Sequence, residues 1–372
     1  MPLPKTMKAA RMHAVGAPMV IEELETPRLR SHDVLLRVHA CGIVPNLGNI
    51  LKHWTTWFPE RPLPPLPAIF GLDPSGEIVA VGEQVYDWKV GERVYVNPAR
   101  YCGGCRACRA GEHTSCGYWT FAGYFGFSEK SLAIFRDYPY GGLGEYMTAP
   151  QYALVRLPDN ITYNQAARFG YLGTAYAGMR KASVGVGKTV LVNGITGTLG
   201  IGGALFGLAM GATKIFGVAR NEKLLRRVKA LDPTRIDVLS LDDGTPTDKW
   251  IEAVSRGAGV DCFIDCLGPG SPHETMLAGI RSLKRGGKAV NIGAIAGSVG
   301  MDLHTMMDLQ QVMIGSCWFT AGEGQDMADM AAAGVLNLGV FEHVNYPLSK
   351  VNEAISGIVS RNGGFSNYVI NP

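Results

Sequence analysis

Four cysteines stand close together in the sequence, in the pattern C-x2-C-x2-C-x7-C. They are Cys102, Cys105, Cys108 and Cys116, and the glycines between them allow the backbone to fold back on itself. Four thiolates suit a tetrahedral Zn2+ ion, and a site with four protein ligands leaves no position open for water or substrate. The spacing therefore predicts one structural zinc. The alternative is a disulfide-bonded knot, which belongs to an oxidising compartment.

The rest of the composition favours a two-domain intracellular protein. The chain has 372 residues, more than one ordinary core accommodates, and 47% of them are hydrophobic. A net charge of +3 argues against nucleic acid or a membrane surface as a partner. The N-terminus lacks the apolar run of a secretory signal, and no segment predicts a transmembrane helix. We therefore expect a cytoplasmic protein.

The elements that must position the cysteines follow two patterns. In the first part of the chain, short strands such as "DVLLRVHACGI" alternate with glycine turns. From about Gly187 onward, strands alternate with helices, beginning with "KTVLVNG" and "LGIGGALFGLAMG". This alternation predicts a doubly wound parallel sheet. Within the first part, the proline-rich "HWTTWFPERPLPPLPAIF" predicts a surface loop near a cleft.

A glycine-rich turn opens the first strand-helix unit. Gly194, Gly197 and Gly200 lie between the predicted strand and the predicted helix, and the turn also contains Thr196, Thr198 and Leu199. Such a turn lets the backbone approach a pyrophosphate and directs helix N–H groups at the anion. It therefore predicts a dinucleotide site. The spacing G-x-x-G-x-x-G departs by one residue from G-x-G-x-x-G, so the alternative is a connection without a ligand.

The residues after the second strand of this unit bear on the choice of dinucleotide. Sites for NAD place an Asp or Glu there to bind the ribose 2′-OH, whereas this chain has Arg220 and Asn221. A guanidinium offers planar donors to a 2′-phosphate, and Lys223 adds positive charge nearby. The sequence therefore predicts NADP(H), with Arg220 on the phosphate. A solvated basic face is the alternative, and we prefer it for Arg226 and Arg227.

Together, the cysteine lobe, the strand pattern and the glycine turn resemble the medium-chain dehydrogenase/reductase superfamily, whose best-known members are the zinc alcohol dehydrogenases. The resemblance covers essentially the whole chain. It implies an α/β fold with a Rossmann doubly wound parallel sheet domain and an irregular β-barrel, the GroES-like catalytic domain. The implied division is a GroES-like domain over 1–160 with the zinc lobe at about 98–120, a Rossmann NADP(H)-binding domain over 161–312, and a C-terminal segment, 313–372, that returns largely to the catalytic domain. Relatives are commonly dimers or tetramers, so a homo-oligomer is expected.

The catalytic zinc of the alcohol dehydrogenases has no matching ligands in this chain. By the resemblance, its first ligand position is Val44 and its second is Leu72, while the third is Tyr171, or Gly170 if the alignment shifts by one residue. Valine and leucine have no lone pairs, and a neutral phenol is a poor zinc ligand. The sequence therefore predicts that the catalytic zinc is absent. The rival is a zinc-dependent alcohol dehydrogenase that holds two ions in each chain.

Without a metal, the charge left by hydride transfer needs another form of stabilisation. A conjugated C=C spreads this charge into an enolate, and a carbonyl requires a proton donor. An iminium carbon is neutralised by the hydride itself. We expect an oxidoreductase that reduces a small apolar substrate at an activated C=C or C=O. An imine or iminium reductase and a non-catalytic NADPH-binding relative are the alternatives.

Three residues are candidates for handling the proton. Tyr171 occupies a position where a metal ligand would face the substrate and is the leading donor, unless it is a core aromatic. Asp73 either orients a water or a side chain, or accepts a structural N–H bond. His53, in the predicted loop, is either a relay or an ordinary exposed histidine.

For the nicotinamide end of the cofactor, the resemblance indicates Thr174 near the domain junction, and Gly293 and Ala294 after a later strand. Cys266 and Leu267 are expected to end the fourth strand of the Rossmann fold, beside the cofactor. A reactive cysteine requires a partner that stabilises its thiolate. Because no such histidine is in view, Cys266 is expected to be a small packing residue.

Overall fold

The computed structural model describes residues 3–372. Its strands are β1 (Thr6–Met12), β2 (Val20–Glu25), β3 (Asp33–Gly42), β4 (Ala68–Ile69), β5 (Asp73–Val81), β6 (Arg93–Val96), β7 (Ala99–Arg100), β8 (Thr120–Phe121), β9 (Tyr146–Pro150), β10 (Leu154–Arg156), β11 (Thr189–Asn193), β12 (Lys214–Ala219), β13 (Ile236–Ser240), β14 (Val260–Asp265), β15 (Leu283–Asn291), β16 (Val312–Gly315), β17 (Glu342–Pro347) and β18 (Ser366–Asn371). Its α-helices are α1 (Leu47–Trp57), α2 (Arg106–Arg109), α3 (Ser131–Asp137), α4 (Tyr163–Ala166), α5 (Phe169–Lys181), α6 (Thr198–Ala209), α7 (Glu222–Lys229), α8 (Thr247–Val254), α9 (His273–Arg281), α10 (Leu303–Asp308), α11 (Ala321–Ala332) and α12 (Val351–Gly357).

The sheet of the first part of the chain is largely antiparallel and includes the C-terminal strand. Its order is β10-β6-β5-β3-β18-β17, and β9 also pairs with β3. Strand β3 is buried along most of its length and has hydrogen-bonded neighbours on both of its edges. Strand β18 pairs with the end of β3 through Cys41–Ile370 and Gly42–Val369. Strand β18 therefore lies in the same sheet as β3, although the two are far apart in the sequence.

The second large sheet is parallel, with the order β13-β12-β11-β14-β15-β16. The chain moves from β11 to one edge and then returns to β14 on the other side of β11. Ligands of such sheets bind where the order reverses, at the carboxyl ends of the strands. The doubly wound sheet predicted from the alternation of strands and helices is confirmed, and it places a binding crevice between β11 and β14.

The apolar, glycine-rich stretch after the glycine turn is helix α6. Its glycines permit close packing on both sides. A Cβ at Gly202 would lie 2.7 Å from Cβ of Ala175 on α5, and one at Gly203 would lie 3.1 Å from Cγ1 of Val192 on β11. The composition of α6 therefore reflects tight packing between α5 and the sheet. Across residues 3–372, no helix has the length and apolar content that crossing a membrane would require.

The proline-rich segment is only in part a loop: the prediction is wrong for Ala68–Ile69, which form β4, and for residues 53–57. These residues belong to α1. The helix buries one stripe at the spacing i, i+3, i+4, i+7, and this stripe consists of Leu47, Ile50, Leu51 and Trp54. The helix ends at Trp57, two residues before Pro59. Proline disfavours helix at its own position and just before it, but it places no such restriction on the turns further upstream.

Candidate functional site

The four cysteines of the zinc lobe converge around α2. Their Sγ atoms all lie within 4.8 Å of one another. The Sγ of Cys116 is 3.7 Å from that of Cys102 and 3.8 Å from that of Cys105. A tetrahedral zinc with Zn–S bonds of about 2.3 Å requires sulfur separations of roughly 3.8 Å. The lobe therefore fits one four-thiolate zinc, and all eight cysteines, each within the described residues, are free of disulfides.

Backbone groups of the lobe are arranged to receive thiolates. The N–H groups of Cys102 and Tyr118 donate to Sγ of Cys116 at 3.5 and 3.4 Å. A backbone hydrogen bond at Cys108 and contacts with the neighbouring thiols lower the pKa of Cys105 to about 7, whereas burial raises the pKa of Cys108 to about 12 and also raises that of Cys116. Within residues 3–372, no second group of three or more His, Cys, Asp or Glu side chains comes close enough to hold an ion.

The glycine turn joins β11 to α6. Gly194 has φ of +67°, which favours glycine, and Gly197 is the N-cap of α6. A Cβ at Gly200 would lie 2.1 Å from the carbonyl oxygen of Gly194, so only glycine lets the helix begin this close to the strand. Thr196 and Thr198 are buried in the same turn.

The residues of this turn fit a dinucleotide phosphate. The N-terminus of the twelve-residue helix α6 offers free N–H groups and a positive end of the helix dipole. The Thr198 hydroxyl oxygen is buried at this N-terminus without a hydrogen-bond partner. Leu199 is half-buried beside it. An anion bound here would satisfy the Thr198 hydroxyl, and the bound nicotinamide cofactor would supply a hydride.

The structure brings the other predicted cofactor loops to the same edge of the sheet. The N–H of Ala294 donates to the carbonyl oxygen of Leu267 at 2.8 Å. A Cβ at Gly293 would lie 2.3 Å from that oxygen, and one at Gly194 would lie 3.5 Å from Cδ2 of Leu267. Burial raises the pKa of Cys266 well above its ordinary value, in keeping with a packing role. These loops form one continuous rim at the carboxyl ends of β11, β14 and β15.

Thr174 lies on α5 rather than on this rim. Its hydroxyl is buried and donates to the carbonyl oxygen of Gly170 at 3.0 Å, one helical turn earlier. Such a bond back to the preceding turn satisfies the hydroxyl within the helix. The Thr174 side chain is therefore already paired, and its contact with a cofactor stays a prediction.

The basic residues after β12 divide into two groups. Arg220 and Lys223 are exposed and make no ion pair within residues 3–372, so both are free to meet a phosphate. Asn221 caps α7 by accepting a backbone N–H. Arg226 and Arg227 each pair with a glutamate. Arg226 lies on the exposed face of α7, whereas the Arg227 guanidinium is packed over the Phe365 ring, 3.7 Å from its centroid, and is not simply solvated.

Asp73 is the first residue of β5 and is 2% exposed. The hydroxyl of Tyr95 donates to its Oδ1 at 2.8 Å. Burial raises the pKa of Asp73 to about 7, although Tyr95, the charge of Arg168 and a backbone hydrogen bond at Gly170 all lower it. A Cβ at Gly170 would lie 2.1 Å from Oδ1 of Asp73. The carboxyl group therefore fills the space that a side chain at position 170 would need.

The three positions that match the family's zinc ligands hold apolar or phenolic side chains. Val44 is 4% exposed and Leu72 is 2% exposed, and neither offers a lone pair. Tyr171 is half-buried, and burial together with the charge of Asp73 raises its pKa to about 12. A phenol with this pKa keeps its proton at neutral pH. Tyr171 can therefore donate a proton but is a poor metal ligand.

The sequence analysis did not identify three residues that interact with Asp73 by a hydrogen bond or by charge: Tyr95, Arg168 and Tyr124. Burial and the charges of Tyr171 and Asp73 raise the pKa of Tyr124. Arg168 is buried just before α5, and its Nη2 donates to the carbonyl oxygen of Gly364 at 2.8 Å. Burial lowers the pKa of Arg168 to about 10, opposed by the charge of Asp73. No motif marks these residues because they come from separate segments of the chain.

His53 is not part of this cluster. It is exposed on α1, where its ring stacks on that of Trp57 with centroids 5.4 Å apart. Its side chain makes no hydrogen bond within the described part of the chain. The placement in a loop is thus corrected to a helix surface, and the ordinary exposed histidine is the interpretation that the geometry favours.

The comparisons with known proteins cover both parts of the chain. The model of the alcohol dehydrogenase GroES-like domain matches residues 30–159, and that of the zinc-binding dehydrogenases matches residues 198–333. The probable D-xylulose reductase A of Aspergillus clavatus is 28% identical over 320 residues, which is 85% of this chain and 84% of that protein. The zinc-type alcohol dehydrogenase-like protein YphC of Escherichia coli is 30% identical over 322 residues, 85% of each chain.

A solved structure shows the same fold. It is that of a protein described as a putative zinc-binding dehydrogenase from Sinorhizobium meliloti, bound to NADP, with a TM-score of 0.81 and 22% identity over 99% of this chain and 100% of that one. The matched models, the relatives and the geometry of the cysteine lobe and glycine turn agree. The chain belongs to the medium-chain dehydrogenase/reductase superfamily and is an alcohol-dehydrogenase-like oxidoreductase.

Proposed function

We propose that this protein is an NADP(H)-dependent oxidoreductase that carries one structural zinc and works without a catalytic zinc. Its reaction is the reduction of a small apolar substrate by hydride transfer to an activated C=C or C=O. The proposal goes beyond the family assignment in three respects: the choice of cofactor, the missing metal and the acceptor.

The observation that carries the proposal is the contact between Asp73 and Gly170. The Asp73 carboxyl group occupies the space beside the helix N-terminus of α5, and Tyr95 and the Gly170 backbone hold it there. The family's three ligand positions hold Val44, Leu72 and Tyr171, so two are apolar and the third is a phenol that keeps its proton. One carboxylate among apolar side chains is too few ligands for a tetrahedral zinc site. The arrangement thus supports a cleft without the second ion.

The support for NADP(H) is the pattern of charge after β12. The strand ends at Ala219, and Arg220 follows it with an exposed, unpaired guanidinium, while Asn221 is engaged as a helix cap. No acid stands at the position that would bind a ribose 2′-OH. An arginine in that place can form charge-assisted hydrogen bonds to a 2′-phosphate.

In the proposed mechanism, the chain's own residues manage the proton. Hydride addition to the β-carbon of a conjugated acceptor, or to a carbonyl carbon, moves an electron pair onto oxygen. The Tyr171 O–H donates its proton to that oxygen or to the neighbouring carbon of the enolate. Asp73, whose pKa is about 7, holds a proton in the neutral range and restores it to the tyrosine, directly or through water. Tyr95 fixes the orientation of Asp73.

Aromatic side chains support an apolar substrate. Trp54 on α1 stacks on Phe125 with ring centroids 3.9 Å apart, and Phe121 packs against Trp318 at 4.6 Å. Phe125 and Phe127 are only half-buried. Apolar pockets with a few polar groups are the usual form of small-molecule sites. The half-buried rings can therefore contribute apolar surface to a bound substrate.

The experiment that tests the proposal is elemental analysis of the purified protein together with an acceptor panel. We expect about one zinc per chain. With NADPH as donor, enones and activated carbonyls should be reduced, and the rate should survive a chelator that leaves the structural zinc in place. Two zinc ions per chain would identify a metal-dependent dehydrogenase. Tight NADPH binding without turnover of any aldehyde, ketone, enone or imine would identify a non-catalytic relative.

A further inference from the structure

Two fully buried polar side chains lie behind the cofactor rim, and both have an oxygen without a donor. Asn193 ends β11 and Asp265 ends β14, and they are register partners across the parallel sheet. Each is 0% exposed. Nδ2 of Asn193 donates to Oδ1 of Asp265 at 3.1 Å. Oδ1 of Asn193 and Oδ2 of Asp265 are buried without a hydrogen-bond partner.

The orientation of the Asn193 amide is fixed by its other contact. Its second N–H donates to the carbonyl oxygen of Thr275 on α9 at 3.0 Å. Flipping the amide would set its oxygen against that carbonyl oxygen, which can only accept. Both N–H groups of Asn193 are therefore used, and its oxygen lacks a donor. If Asp265 were ionised, the pair would contain two buried acceptors that nothing satisfies, at a cost of about 1–3 kcal/mol each or more for a charged group.

No cation compensates a charge at Asp265. It forms no ion pair within residues 3–372, and the charged groups on the elements packed around it are engaged elsewhere or lie at the far end of β15. On α9, Glu274 pairs with Arg281 and His273 binds the carbonyl oxygen of Ala296. The charged residues of β15 are Lys284, Arg285 and Lys288, and they contact Asp261, Asp308 and Ser183. Cys266 is the adjacent titratable group, and its thiol is neutral.

We propose that Asp265 is a neutral carboxylic acid that forms a cyclic hydrogen-bonded pair with Asn193 and thereby positions the cofactor rim. One proton on Oδ2 of Asp265, donated to Oδ1 of Asn193, satisfies both orphaned oxygens at once. Burial also raises the pKa of Asp265, although Asn193 and the Leu267 N–H lower it. Asp265 is a positioning residue because its effect on the cofactor passes through the backbone.

The backbone connections of the pair explain why its geometry matters. Gly194, the first glycine of the turn, follows Asn193 directly. The carbonyl oxygen of Asp265 accepts the N–H groups of Ile292 and Gly293 at 3.0 and 2.9 Å, and the Cys266 N–H donates to the carbonyl oxygen of Asn193 at 3.3 Å. A shift of either side chain would therefore move three loops that line the dinucleotide crevice.

The direct test is infrared spectroscopy of the cofactor-free protein. A protonated carboxyl group shows a carbonyl stretch that a carboxylate lacks and that moves to lower frequency in D2O. We expect this band above the pKa of Asp73, at about pH 8.5, and expect Asp265→Asn to remove it. Recording both spectra in an Asp73→Asn background excludes the other buried acid. Absence of the band, or its persistence in Asp265→Asn, would overturn the proposal.

A matched pair of substitutions tests the positioning role, and this part rests on the proposed use of NADPH. Asp265→Asn replaces the O–H donor with an N–H donor, so the cyclic pair survives and NADPH affinity should stay near that of the wild type. Asp265→Leu has a similar size but leaves one N–H and the oxygen of the Asn193 amide unpaired, and it should weaken NADPH binding about tenfold. Equal losses in the two variants would contradict the neutral acid. Failure of the wild type to bind NADPH would refute the proposed cofactor, and the infrared band would still decide the state of Asp265.

Discussion

The zinc lobe and the surroundings of Asp73 differ in how far apart in the sequence their polar residues lie. The lobe collects four identical ligands from fifteen consecutive residues, and its sulfur atoms are already near the separation that zinc requires. The cleft collects single residues from distant segments, with Asp73, Tyr95 and Gly170 meeting around one carboxyl group. In our proposal, one region binds a metal that stabilises the fold. The other, in our proposal, has replaced a metal with a buried proton donor.

The two regions differ in how they respond to the loss of a metal ligand. A four-thiolate site fails if any ligand is lost, because the remaining thiols must be protonated or bind something else. A catalytic site tolerates the loss of its ion if another group can stabilise the charge of the transition state. The five predictions below test this contrast, from the largest expected effect to the smallest.

Cys105→Ser should damage the lobe and spare the chemistry. Structural zinc contributes on the order of 10 kcal/mol where it is bound, so losing one ligand should release the ion and lower Tm by roughly 10 °C. Zinc content and calorimetry measure both effects. Cys317→Ser, at an exposed thiol outside the lobe, is the control and should change neither. A stable, zinc-loaded variant without activity would reverse the roles of the two regions.

Tyr171→Phe should damage the chemistry and spare the fold. Removing a general acid lowers kcat by about 10²- to 10³-fold, while KM and Tm should change little. Steady-state kinetics with an enone or activated carbonyl measure the loss. Tyr86→Phe, at a side chain that is 82% exposed, provides the control. Unchanged turnover in Tyr171→Phe would remove the tyrosine from the mechanism.

Asp73→Asn should reveal the pH dependence of the cleft. The pKa of Asp73 is raised to about 7 in the folded protein, so its contribution to stability is present below the unfolded pKa and is lost as pH rises to about 7. Three pKa units correspond to roughly 4 kcal/mol, an upper bound for this group. Relative to the wild type, the variant should therefore gain stability between about pH 4 and pH 7. Parallel stability curves for the two proteins would show that Asp73 is ionised throughout.

Gly170→Ala should destabilise the protein although alanine is the better helix former. The added Cβ would meet Oδ1 of Asp73, so we expect a loss of about 2–3 kcal/mol. Gly185→Ala is the control, since the nearest atom to its Cβ would be 3.9 Å away. Denaturant unfolding of Gly170→Ala, Asp73→Ala and the double variant gives the coupling energy. Additive effects would mean that the carboxyl group does not fill this space.

Arg220→Ala should raise KM for NADPH about tenfold and leave KM for NADH nearly unchanged, because only the first cofactor carries the 2′-phosphate. Arg226→Ala is the control, since its guanidinium already pairs with Glu222. Kinetics with the two cofactors distinguish them. A similar loss with NADPH and NADH would place Arg220 elsewhere on the dinucleotide.

The two regions also differ in how far the sequence predicts them. The cysteine spacing and the glycine turn are local, so their residue types and separations carry the information. The parallel sheet could be predicted for the same reason, because predicted strands and helices alternate along the chain. The surroundings of Asp73 depend on the register between strands and on the N-terminus of α5. No local sequence motif therefore identifies Tyr95 or Arg168 as its neighbours. His53 was placed in a loop because the later prolines obscured the apolar stripe of α1.

The pairing of β18 with β3 has a consequence for the order of assembly on the ribosome. Strand β3 is made early, whereas its neighbour β18 emerges only after the entire Rossmann sheet has been translated. A nascent chain can thus complete its second sheet while the first still has an open edge. Open strand edges pair readily with other chains. Synthesis of β18 is therefore the step that covers this edge of β3 and ends its exposure to other chains.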